Sequence, residues 1–338
     1  MSGRVVILTP DPADEGYRTR WRDVLERNAE PLRAAGIAVE GRSWAQADDL
    51  AAFDLVLPLL SWGYPRAHRQ WLEAVARWES QGARLYNPAT VLRWNADKNY
   101  LGRLAERGAP VVPTLFAERL TEEALEEAMH RFGTGRLVAK PQISSTAWQT
   151  IRWTPGDAFD AGPQGPAMIQ PYLGRIETEG ETSLLYFGGV FSHAISKRPQ
   201  PGDFRVQPEY DGIIAAHRPE PDELAAAASI LAAIDEDLLY ARIDLVRGAQ
   251  GEPLLIEAEL IEPDLYLEYG SGADTAFAAA TAELIQSSAA RRMRTPIAIA
   301  CRGRADRRPD PPAAVRPRRK RDAARSARGA GRRGRAGL

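Results

Sequence analysis

The stretch that most constrains this chain is Pro253-Leu254-Leu255-Ile256-Glu257-Ala258-Glu259-Leu260-Ile261-Glu262-Pro263. Its apolar content reads as a buried strand, yet Glu257 and Glu259 stand two residues apart and so point to one face. Upstream, Ala241-Arg242-Ile243-Asp244-Leu245-Val246 is a second apolar strand with an acid at its centre, and Arg247-Gly248-Ala249-Gln250-Gly251 reads as the turn joining the two. Paired antiparallel, these strands set Asp244, Glu257 and Glu259 facing one another. Ionised carboxylates are costly to bury together without a compensating cation. Hard oxygen ligands of this kind suit Mg²⁺ or Mn²⁺ bridged to phosphates. A hairpin with its polar face in water fits the same pattern, and the pattern alone leaves both readings open.

The net charge of −1 conceals an asymmetry: from Arg302 onward there are fourteen Lys plus Arg against three Asp, so a tail of +11 follows a body of −12. With 44% hydrophobic and 26% charged residues over 338 positions, the chain has the composition of a globular protein of two or so domains. The single cysteine, Cys301, excludes an internal disulfide framework, and four histidines leave little for a His-rich metal site. No apolar run reaches the roughly 20 residues that span a bilayer, and Met1-Ser2-Gly3-Arg4 leads straight into a strand. The expected location is the cytoplasm, with no membrane partner. The tail, rich in Arg, Ala, Pro and Gly, holds too little apolar surface to fold and is expected to be disordered. A nucleic-acid arm is the alternative reading, although aromatic residues for base stacking are lacking.

Along the chain, Val5–Leu8, Ile37–Glu40 and Phe53–Leu60 read as strands separated by a helix from about Tyr17 to Ala35, and a further helix follows from about Arg66 to Ser80. Alternation of this kind predicts a parallel sheet whose ligands sit beyond the carboxyl ends of its strands, where the loop Ser61-Trp62-Gly63-Tyr64 lies. Asn95-Ala96-Asp97-Lys98 then reads as the capped start of a helix, with Lys98 on its first turn. Thr121 to Gly133 is another helix. Arg136–Pro141 is a strand with Lys140 at its exit, and the hydroxyl-rich loop Gln142–Thr150, with Ser144 and Ser145, forms a plausible phosphate cradle beside that lysine. A solvated hairpin turn is the plainer reading. Ala167–Leu173 is a short strand, Glu181–Phe187 and Val190–Lys197 form a hairpin, and Pro221–Ile234 is a helix. Neither a Walker loop nor a Gly-x-Gly-x-x-Gly run occurs.

The order of these features resembles the ATP-grasp superfamily over roughly two hundred residues, Asn87 to Ile285. Finer motifs, Asn87-Pro88 with Arg93-Trp94-Asn95-x-Asp97-Lys98, Ser192-His193-Ala194-x-x-Lys197-Arg198-Pro199, and Glu257-x-Glu259-Leu260-Ile261-Glu262-Pro263, resemble a branch that includes the O-ureido-serine cyclo-ligase of cycloserine biosynthesis. The resemblance implies an ATP-grasp fold, α/β plus α+β, with an N-terminal parallel-sheet substrate domain (1–93), an ATP-grasp domain of two α+β subdomains (94–290) and the basic tail (291–338). It implies that Lys98 and Lys140 contact ATP phosphates, with Ser144 and Ser145 covering them. Gln170, Pro171, Tyr172 and Leu173 would form the adenine hinge, and Glu181 would lie near the ribose. Asp244, Glu257 and Glu259 would bind two Mg²⁺, with Mn²⁺ as a substitute, while Arg205 and Lys197 would steady the reacting phosphoryl group. Glu259 stands where many relatives carry Asn.

The activity so implied is ATP-dependent ligation of a carboxylate to an amine on a small amino-acid-like substrate, in an intermolecular or cyclising form, through an acyl-phosphate. A homodimer is compatible with it, and nucleic acid is not an expected partner. A phosphotransferase without ligation, or a nucleic-acid binder acting through its tail, are the alternatives.

Overall fold

The computed structural model describes residues 3–17, 20–200 and 212–294. Arg205 and the tail beyond residue 294 lie outside the described residues. The first layer is a parallel sheet in the order β2-β1-β3, formed by β1 (Arg4–Thr9), β2 (Ala38–Ser43) and β3 (Leu55–Leu57), with α1 (Arg20–Ala34) and α2 (His68–Ser80) as its helices. Val5, Val6, Ile7 and Leu8 are wholly buried because both faces of β1 are covered. Val6 and Leu8 pack with Trp71 and Trp78 of α2, whereas Val5 and Ile7 pack with Leu239, Tyr240 and Phe277 from much later in the chain.

The next helices depart from the sequence expectation. Instead of one helix capped by Asn95, α3 covers Ala89–Trp94 and α4 covers Tyr100–Glu106. Asn95 is buried between them; its Nδ2 donates to the Ala258 carbonyl at 2.8 Å and its Oδ1 accepts from Leu260 N–H at 3.1 Å. An asparagine amide offers both a donor and an acceptor, so its side chain serves here as a short strand partner rather than as an N-cap, while its backbone ends α3. Lys98 consequently lies in the turn before α4, its backbone N–H bonded to the Gln142 carbonyl at 2.9 Å.

A four-stranded antiparallel sheet, order β4-β7-β5-β6, follows: β4 (Leu115–Ala117), β5 (Leu137–Pro141), β6 (Ile151–Trp153) and β7 (Ala167–Pro171). Helix α5 (Glu122–Phe132) covers it, started by the Thr121 hydroxyl accepting from Ala124 N–H at 3.2 Å and ended by Gly133 in the left-handed region. The last sheet, order β10-β9-β8-β11-β12, comprises β8 (Glu181–Phe187), β9 (Val190–Arg198), β10 (Ile213–His217), β11 (Tyr240–Arg247) and β12 (Pro253–Glu259). Helix α6 (Pro221–Ile234), opened by a capping box between Glu220 and Glu223, packs on β12, and α7 (Ala273–Arg294) contacts α1, β8 and β9. Residues 1–294 form one unit, within which a boundary at 93/94 is proposed to separate two functional parts. None of the helices among the described residues is long and apolar enough to cross a membrane.

Candidate active site

Strands β11 and β12 pair antiparallel with Asp244 opposite Glu257 and Arg242 opposite Glu259. The register slips between Asp244 and Leu245, leaving Ile256 as an extra residue on β12, and such bulges commonly re-aim side chains beside a site. Asp244, Glu257 and Glu259 all line a cavity of about 720 Å³. Lys98, Lys140, Gln170, Pro171, Tyr172, Leu173, Glu181 and Lys197 line the same cavity, as do Ser144 and Ser145. The polar-face-in-water reading of the hairpin does not hold, since Asp244 is 2% exposed.

Each of the strand carboxylates Asp244, Glu257 and Glu259 has a basic neighbour. Lys98 Nζ lies 3.0 Å from Glu257 Oε1 and donates to the Ser144 carbonyl at 2.7 Å. Lys197, 5% exposed, lies 2.7 Å from Glu181 and 3.2 Å from Asp244. Arg242 is buried between Asp244, at 2.9 Å, and Glu259, and its guanidinium carbon stands 5.8 Å from the Tyr266 ring centre. Burial works against ionised Asp244, but Arg242 and Lys197 outweigh it and hold the carboxyl well below its usual range. Burial likewise opposes ionised Glu257, which Lys98 and Lys140 nonetheless hold down. Glu259 is the exception: burial, with Glu257 and Asp244 nearby, pushes it up to about 8 despite Arg242. Burial pushes Glu181 up to about 7 and draws Lys140 down to about 8.

Among the described residues no three His, Cys, Asp or Glu side chains are gathered tightly enough to hold an ion as they stand, each strand carboxylate being turned onto Lys98, Lys197 or Arg242. The donor set nevertheless fits a hard divalent cation. Its atoms are carboxylate oxygens, and three acids, Asp244, Glu257 and Glu259, line one cavity.

Of the residues expected to form a hinge, Gln170 and Pro171 end β7, and Tyr172 and Leu173 follow it. Gln170 is buried and donates to Thr114 Oγ1 at 2.9 Å, and the Tyr172 ring lies 4.5 Å from the Arg136 guanidinium carbon. In the loop after β5, the Ser144 hydroxyl donates to the Pro141 carbonyl at 3.2 Å, and Ser145 lines the cavity along with Tyr17. Sequence reasoning gave no role to Arg242, although its spacing of two from Asp244 places both on one strand face. Tyr17 carried no local signal, because it reaches the site only through the approach of the first sheet's segment to the Ser145 loop.

Gly180 sets the entry to β8. Its φ is +79°, and a Cβ there would lie 2.2 Å from the Lys197 carbonyl oxygen. Gly180→Ala is therefore expected to destabilise the chain by about 1–3 kcal/mol and to displace the Glu181–Lys197 pair. Urea unfolding measures the first effect; an unchanged midpoint would contradict the close approach.

The same architecture recurs in solved structures. The ATP-grasp ligase PsnB, solved with a phosphomimetic precursor variant, Mg and ADP, superposes with a TM-score of 0.58 over 84% of this chain and 99% of its own, at 16% identity. The fold is the ATP-grasp fold. Residues 5–87 match the family described as D-cycloserine synthetase DcsG, N-terminal domain. The cycloserine biosynthesis protein DcsG of Streptomyces lavendulae is 32% identical over 279 residues, spanning 76% of this chain and 92% of that protein. The crystal structure of D-cycloserine synthetase DcsG matches with a TM-score of 0.73 and 28% identity over 84% of this chain and all of that one. The chain belongs to the DcsG family of ATP-grasp ligases.

Proposed function

We propose that this ligase activates the carboxylate of a small amino-acid-like substrate as an acyl-phosphate and closes it onto a second nitrogen of the same molecule, with O-ureido-serine, closing through its oxygen-bound ureido nitrogen, as the candidate substrate. The substrate carboxylate oxygen attacks the γ-phosphorus of ATP, forming a P–O bond as the bond to the ADP oxygen breaks. The nitrogen then attacks the acyl carbon, and phosphate leaves with the C–O bonding pair while the nitrogen loses a proton. Anions are brought together in the first step, so catalysis rests on positioning and charge neutralisation rather than on a protein nucleophile.

In this reading Lys98 and Lys140 hold the ATP phosphates, and Gln170, Pro171, Tyr172 and Leu173 line the adenine, with Glu181 near the ribose. Lys197 and Arg242 keep the reacting oxygens oriented, aided by Arg205 from outside the described residues. Asp244, Glu257 and Glu259 would hold Mg²⁺, two ions at full occupancy or Mn²⁺ in their place. The cation would supply positive charge to the phosphate oxygens. The observation that carries the proposal is the pairing of Asp244 with Glu257 on facing strands, lining one cavity together with Lys98 and Lys140.

The test is ADP release measured over a panel of amino acids and small amines that includes both enantiomers of O-ureido-serine, with mass spectrometry of the products. Release of ADP and phosphate with a product lighter by ring closure is expected. A stable phosphorylated product would contradict ligation.

A further inference from the structure

Glu262 follows Glu259 by three residues and lines the same cavity, yet it has none of the cations that serve the other carboxylates. Its Oε2 is completely buried and has no hydrogen-bond partner among the described residues. The neighbouring cations are committed elsewhere: Lys98 to Glu257 and the Ser144 carbonyl, Arg66 to Asp14. Tyr17, Trp62 and Tyr64 line the same cavity. The Tyr17 and Trp62 ring centres are 5.6 Å apart, and Tyr64 is fixed against Trp71 at 5.1 Å.

We infer that Glu262, with the rings of Tyr17, Trp62 and Tyr64, binds the ammonium group of the substrate and selects for it. This rests on the proposed small-molecule ligase reading and adds the group by which the substrate is recognised. A carboxylate oxygen buried without a partner is costly, and an ammonium carries three N–H donors that can satisfy it. Aromatic faces attract the same cation and repel an anion. Burial and the fields of Glu259 and Glu257 outweigh the positive charge of Lys98 and disfavour a charged Glu262 in the free chain, so a cationic ligand relieves an existing penalty.

Calorimetric titration of D-cycloserine and of 1,2-oxazolidin-3-one, the same ring without the amine, into the full chain with ADP tests the inference. The amine-bearing ring is expected to bind about tenfold to a hundredfold more tightly, and Glu262→Gln should bring the two affinities together. ADP affinity should stay as in the parent chain, which shows that the variant is folded. Equal binding of both rings to the parent chain, binding of neither, or a preference that survives in Glu262→Gln overturns it. Failure of the ligase reading is seen separately, as an absence of ADP release with O-ureido-serine in a chain that still prefers the amine-bearing ring.

Discussion

Glu257→Gln is expected to lower Mg²⁺-dependent ADP release by about 10²–10³-fold while the chain remains folded, the usual effect of removing one group that faces charge developing in the reaction. Glutamine keeps the size of the side chain and can still accept a hydrogen bond from Lys98, so the 3.0 Å contact with that lysine need not be lost. What disappears is the negative charge opposite Asp244. Steady-state ADP release at saturating ATP, together with thermal unfolding of the variant, separates catalytic loss from collapse. Undiminished turnover would remove Glu257 from the proposed metal-binding set.

The second large effect is on stability. Arg242→Ala takes away the guanidinium buried between Asp244 and Glu259 and leaves Lys197 as the remaining cation beside Asp244. Breaking a buried ion pair from one side costs about 3–5 kcal/mol, because the abandoned charge stays desolvated. Urea unfolding should show that loss. Combining Arg242→Ala with Glu259→Gln should recover part of it, since the orphaned charge is then gone. A change below about 1 kcal/mol, the value of an exposed pair, would mean that Arg242 is solvated in the folded chain.

Much of the fold was legible because its signals are local. The buried run Val5–Leu8, the Thr121 cap with its Gly133 stop, and the hairpin around Gly188-Gly189 each follow from spacing and turn chemistry within a few residues. Short pieces were not legible. Strand β4 has three residues and β10 reads Ile-Ile-Ala-Ala-His, too little pattern to separate from loop. Helix α3 was hidden by Asn95, whose residue type suggests a cap but whose side chain is engaged by Ala258 and Leu260. That engagement depends on an element more than 160 residues away.

By itself the sequence determined that Glu257 and Glu259 share a strand face, that Asp244 stands at the centre of its neighbour, and that two lysines precede them in an order shared with ATP-grasp enzymes. These are consequences of a period of two and of chain order, which need no partner. Only the tertiary structure decided which cation serves which carboxylate: Lys98 for Glu257, Lys197 and Arg242 for Asp244, Arg242 for Glu259, and none for Glu262 Oε2 among the described residues. The physical reason is that a charge is neutralised by whatever lies within a few ångströms of it, and that neighbour is set by strand register and by the approach of separate sheets.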